Sequence, residues 1–97
     1  MSRRLLYSVL KRINEKDALS PNAQDYKMKD GEFREYIFFI KEKGYIIGEI
    51  MTFDKYSLKF ATVTDMGLDF LNQHIHFHTE YPSIQELPNW VRKNIME

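Results

Sequence analysis

The chain has no cysteine, which excludes disulfides, thiolate metal sites and cysteine nucleophiles and fits a reducing compartment. It also lacks an excess of either charge: 14 lysines and arginines balance 14 aspartates and glutamates. Long-range attraction to nucleic acid or to an anionic membrane is therefore not built in, and any such contact needs a local basic patch. Long hydrophobic runs are missing as well. The longest, Tyr36 to Ile40, falls far short of the roughly 20 residues that span a bilayer. The opening MSRRLLYSVLKRI has basic residues at both ends and no small-residue cleavage site, so it reads as a helix and not a signal peptide. A cytoplasmic chain, complete from Met1, is the expectation.

Catalytic patterns are absent too. There is no phosphate-cradling glycine loop, no glycine-flanked serine and no carboxylate pair set beside a histidine in a recognisable arrangement. Asp65 and Asp69 share a helical face, but capping and solvation account for both. The basic residues of the first helix are offset by Glu15 and Asp17, which argues against membrane binding by an amphipathic helix. The sequence is read as non-enzymatic, with no cofactor, no metal and no evident small-molecule substrate.

What is present is an ordinary globular composition. The 97 residues are 43% hydrophobic and 29% charged, enough for one core and too few for a second. The 14% aromatic share favours a well-filled core or an aromatic contact surface. Nothing repeats internally and no low-complexity linker divides the chain, so residues 1–97 are taken as one domain, a core over 1–73 and an extension over 74–97.

Leu5, Leu6, Val9, Leu10 and Ile13 fall on one face of a helix over Arg3 to Lys16, with Arg4, Lys11 and Glu15 pointing away. Ser20-Pro21 is an N-cap and first-turn signal for a short second helix over Pro21 to Asp25, with Met28 anchoring the turn that follows. Asp30 opens a third helix, DGEFREYIFFIKE, where negative charge suits the N-terminal end, and Gly44 closes it. Wound at about 100° per residue, that helix stacks Phe33, Tyr36, Ile37 and Ile40 as a core stripe and turns Phe38 and Phe39 outward between Glu35 and Glu42. Tyr45 to Phe53 and Ser57 to Thr64 then read as a β-hairpin with Asp54, Lys55 and Tyr56 at its tip. Thr64 caps a fourth helix whose apolar side is Met66, Phe70 and Leu71, and Gly67 lets it sit close to its neighbour. Pro82-Ser83 reopens a helical turn. Ile84, Leu87, Trp90, Val91 and Ile95 form an apolar series interrupted by Pro88, giving a tail of one bent or two short helices folded back on the body.

Helix, short helix, helix, β-hairpin, helix is the order of a winged helix-turn-helix, an α+β fold. With LLYSVLKRI in the first helix, Leu19-Ser20, the trio Phe33, Ile37 and Ile40, the run Lys43-Gly44-Tyr45-Ile46 and a T-x-x-G-x-x-F-L pattern at Thr64, Gly67, Phe70 and Leu71, the chain resembles the YjcQ family. These are small winged-helix proteins of bacterial genomes and prophages. The resemblance runs from Arg3 to about Asn72 and implies chiefly a fold, one whose members usually read DNA.

In a DNA-binding winged helix the third helix enters the major groove and the hairpin tip touches the adjacent backbone or minor groove. The residues available for phosphate contacts are Lys27, Lys29, Arg34, Lys41 and Lys55, and double-stranded DNA, in a regulator-like role, is the first expectation. The carboxylates of Asp30, Glu32, Glu35 and Glu42 oppose it. The second expectation is a protein interface formed by Glu35, Phe38, Phe39 and Glu42, serving self-association or a prophage-encoded adaptor or inhibitor. For this face, cover of both phenylalanines by Trp90 and Ile95 of the tail ranks first, with self-association or a partner protein close behind. His74, His76 and His78 alternate and would share one side of a strand, with Glu80 nearby, but surface histidines are the default over a zinc site.

Overall fold

Ser2 starts the first helix, α1 (Arg3–Asn14): its hydroxyl accepts from the Leu5 amide at 3.2 Å, an N-cap hydrogen bond. The computed structural model describes residues 2–16, 21–52 and 55–93. Leu6, Val9, Leu10 and Ile13 are buried along α1 as the stripe requires, but so are Arg4, Tyr7, Ser8 and Arg12. The helix is covered nearly all round. Arg4, expected to face solvent, instead donates to the Trp90 carbonyl at 3.2 Å and pairs with Glu80 at 2.9 Å.

The second helical element is a 3₁₀ turn over Ala23–Tyr26, shorter and later than the helix expected from Pro21. Asn22, not Ser20, caps it: the Asn22 side chain accepts from the Asp25 amide while the Asp25 carboxylate accepts from the Asn22 amide. Leu19 and Ser20 lie outside the described residues. Arg12 pairs with Asp25 at 2.9 Å and so ties the turn to α1.

Helix α2 (Asp30–Glu42) buries Phe33, Ile37 and Ile40 completely, with Tyr36 half-buried beside them. Each fully buried side chain of this kind contributes roughly 1.5–3 kcal/mol. Its end is a Schellman motif. The Tyr45 amide donates to the Ile40 carbonyl and the Gly44 amide to the Lys41 carbonyl, both at 3.0 Å. Gly44 takes φ +92°, which a side chain would resist.

The hairpin is broken in the middle. Strands β1 (Ile46–Ile47) and β4 (Thr62–Val63) pair antiparallel, as do β2 (Met51–Thr52) and β3 (Lys55–Tyr56). Between the two ladders residues 48–50 face residues 57–61, so the returning strand carries two extra residues, and continuous strands over 45–53 and 57–64 do not form. Gly48 stands at the break with φ +111°, where a Cβ would run into the Phe60 carbonyl. Lys55 and Tyr56 belong to a strand and not to the tip; Phe53 and Asp54 lie outside the described residues.

Helix α3 (Asp65–Gln73) is capped by Thr64, whose hydroxyl accepts from the Gly67 amide at 3.2 Å and donates to the Gly44 carbonyl at 2.5 Å. Gly67 makes the close approach possible: a Cβ there would lie 2.5 Å from both the Tyr45 carbonyl oxygen and Val63 Cγ1. Phe70 and Leu71 pack on the core, but Met66, assigned to the same side, is 53% exposed.

The chain then makes a 3₁₀ turn over Ile75–His78, another over Ile84–Glu86, and helix α4 (Leu87–Arg92) with Pro88 in its first turn. Proline therefore opens the last helix and does not interrupt one. Phe77, Leu87, Trp90 and Val91 join Leu6, Phe33 and Ile46 in a single core. Among the described residues this α+β arrangement of four α-helices and short antiparallel strand pairs is compatible with a small winged-helix-like fold. No helix among the described residues is long and apolar enough to cross a membrane.

Candidate functional site

The path of the tail decides which side of α2 is open. Among the described residues Trp90 packs edge-on against Phe77 and Tyr81, at centroid distances of 5.6 and 5.4 Å, and lies under the Arg4 guanidinium at 5.0 Å. Arg92 donates to the carbonyls of Tyr26 at 2.7 Å and Lys27 at 2.9 Å. The tail is thus fastened to α1 and to the 3₁₀ turn. Trp90 does not cover Phe38 and Phe39, contrary to expectation, because Phe77, Tyr81 and Arg4 hold it elsewhere. Ile95 lies outside the described residues.

Phe38 is 41% and Phe39 37% exposed. Phe39 has the Lys43 ammonium 5.5 Å from its ring centroid, while Phe38 sits at the middle of the outward face. At about 100° per residue, Arg34 and Lys41 lie on one side of Phe38, and Glu35 and Glu42 on the other. All four are exposed. Gly31, seven residues before Phe38, continues the same line, and a Cβ there would meet nothing within 4 Å. The face is a short apolar seam with a basic flank and an acidic flank. The two charged flanks repeat at a spacing of seven residues, Arg34 to Lys41 and Glu35 to Glu42. That signal is present in the sequence, although the expected sites divide the four charges between a DNA contact and a protein interface.

Lys27 and Lys29 are exposed where the chain enters α2, Lys27 in a left-handed conformation (φ 52°). Lys29 occupies the N-cap position without a side-chain cap. The side chain of Lys55 lies outside the described part of the chain. Ile47 and Phe60 of the β-region are exposed apolar residues that the sequence reading did not single out, and the Lys59 ammonium stands 5.7 Å from the Phe60 ring centroid.

The histidines do not share the side of a strand. His74 ends α3 and stacks on Phe70 at 4.1 Å, with Nδ1 2.9 Å from the Phe70 carbonyl, and His76 lies against Phe77 at 4.4 Å. Among the described residues no three potential metal ligands come together. A groove of about 400 Å³ runs between α1 and α3, lined by Tyr7, Lys11, Leu68, Asp69 and Ile75.

The chain is 30% identical over 93 residues to a Bacillus subtilis (strain 168) protein described as "Uncharacterized protein YjcQ", covering 92% of this chain and 96% of that one. It belongs to the YjcQ family. No family model and no solved structure matches the chain. The YjcQ relationship extends beyond Asn72 into the tail, since an alignment of this coverage cannot stop at the end of α3.

Proposed function

We propose that this YjcQ-family chain is a non-enzymatic winged-helix protein that binds another protein through the outward face of α2, with Phe38 at its centre. The observation that carries the reading is the Phe38 and Phe39 pair: two aromatic residues stay 41% and 37% exposed on a helix whose opposite side buries Phe33, Ile37 and Ile40. Their own tail was the nearest cover, and Trp90 is committed elsewhere. Phe38→Ser and Phe39→Ser are expected to change the oligomeric state, or the partners retained on affinity beads, at an unchanged melting temperature. Unchanged oligomeric state and partners would remove this reading.

A second reading is double-stranded DNA. It is favoured by the exposure of Lys27, Lys29, Arg34 and Lys41 at the start and along one flank of α2. Glu35 and Glu42 weigh against it, because both point the same way as Phe38 and would meet phosphates. If DNA is the ligand, affinity falls steeply with salt, and Lys29→Glu with Lys55→Glu abolishes it while the fold survives. Absence of both effects excludes DNA.

A further inference from the structure

We infer that the partner for the α2 face is a second copy of this chain, with the two α2 helices side by side and parallel. This rests on the protein-binding reading above and names its occupant. The argument is charge complementarity. When a two-fold axis runs along the helices, the basic flank of each copy lies beside the acidic flank of the other at nearly the same height. Arg34 then stands opposite Glu35 of the second copy and Lys41 opposite Glu42, while the two Phe38 rings meet on the seam. In an antiparallel pair each flank meets its own kind: Glu35 faces Glu42 and Arg34 faces Lys41. Like charges oppose that arrangement, so the same residues that permit one orientation penalise the other.

Two details fit. Gly31 lies one heptad before Phe38 with open space where a Cβ would be, so the first turns of the two helices can approach closely. Seven-residue spacing of a central apolar line between oppositely charged flanks is also the pattern by which paired parallel helices choose their alignment. Asp30 falls near the basic flank at its start, which confines the complementarity to residues 34–42. A contact confined to these few turns of one helix is expected to be reversible and concentration-dependent, since a stable interface buries about 1,200–2,000 Å² in total.

Sedimentation of three full-length proteins tests the pairing. The wild-type chain should shift with concentration from 11.7 kDa towards twice that mass. Arg34→Glu with Lys41→Glu makes both flanks acidic, and Glu35→Lys with Glu42→Lys makes both basic. Each double variant alone should remain at 11.7 kDa, and an equimolar mixture should regain the doubled mass. Circular dichroism of each variant checks the fold, and Phe38→Ser provides an independent monomer. A wild type that stays monomeric at every concentration, variants that associate as it does, or a mixture that stays monomeric would each overturn the pairing. If the wild type is monomeric while Phe38→Ser still changes the partners retained on beads, the second-copy assignment fails and the broader protein-binding reading stands.

Discussion

The Arg4 guanidinium lies 5.0 Å from the Trp90 ring centroid and donates to the Trp90 carbonyl at 3.2 Å, joining residues 86 apart in the chain. The contact gives a buried charge a hydrogen-bond acceptor, an aromatic face and, through Glu80, a counter-ion. It also draws Trp90 to α1 and so away from the outward face of α2.

Arg4→Ala should therefore destabilise the fold by roughly 2–3 kcal/mol, the range for losing a buried charge-assisted hydrogen bond with its packing. Urea denaturation measures it. A change below about 0.5 kcal/mol, typical of surface positions, would show that the tail is held by its apolar residues alone.

Gly67→Ala should cost more than about 1–3 kcal/mol, the usual overpacking penalty. The new methyl would press on a carbonyl oxygen and on Val63, and α3 would have to move away from Tyr45 and β4. A melting temperature equal to wild type would contradict the close approach.

Tyr36→Phe should be neutral or stabilise by up to about 1 kcal/mol, against the trend for core substitutions. The Tyr36 hydroxyl is buried with no hydrogen-bond partner among the described residues, so its removal relieves a desolvation cost. Ser8→Ala has the opposite sign. The Ser8 hydroxyl lies 2.8 Å from the hydroxyls of both Tyr26 and Tyr81, and its loss should cost about 1–3 kcal/mol. Chemical denaturation of the two variants side by side checks both signs.

Burial also holds the Tyr36 phenol, and that of Tyr26, above the ordinary tyrosine value. A pKa raised in the folded state gives stability that is complete below the unfolded value. The unfolded chain releases these protons from about pH 10, so stability should be lost as pH rises from there towards the folded values. Denaturation midpoints measured from neutral pH to pH 11 should stay level and then fall, and Tyr36→Phe should flatten part of the fall.

Local signals were the legible ones. The α1 stripe, the Phe33 side of α2, the Gly44 stop and the Thr64 cap with Gly67 all depend on residues within a turn or two of one another, and each was readable. Arg4 was misplaced because its environment comes from Glu80 and Trp90, beyond the reach of any helical periodicity. At the hairpin break the Phe60 carbonyl lies where a Gly48 Cβ would be, a close backbone approach that β-propensity does not register. The histidines alternated in sequence but lie at the end of α3 and in a 3₁₀ turn, where the strand period does not apply. On the candidate site, the outward direction of Phe38 is readable from periodicity, whereas the place of Trp90 depends on its long-range contacts with Arg4, Phe77 and Tyr81.

The most direct test of the account places a photoreactive phenylalanine analogue at position 38 of the full chain and irradiates it in cell extract. The account predicts a protein adduct of twice 11.7 kDa, lost when the basic or the acidic flank is reversed in charge. Adducts to nucleic acid, or none above the level given by the same analogue at buried position 33, would contradict it.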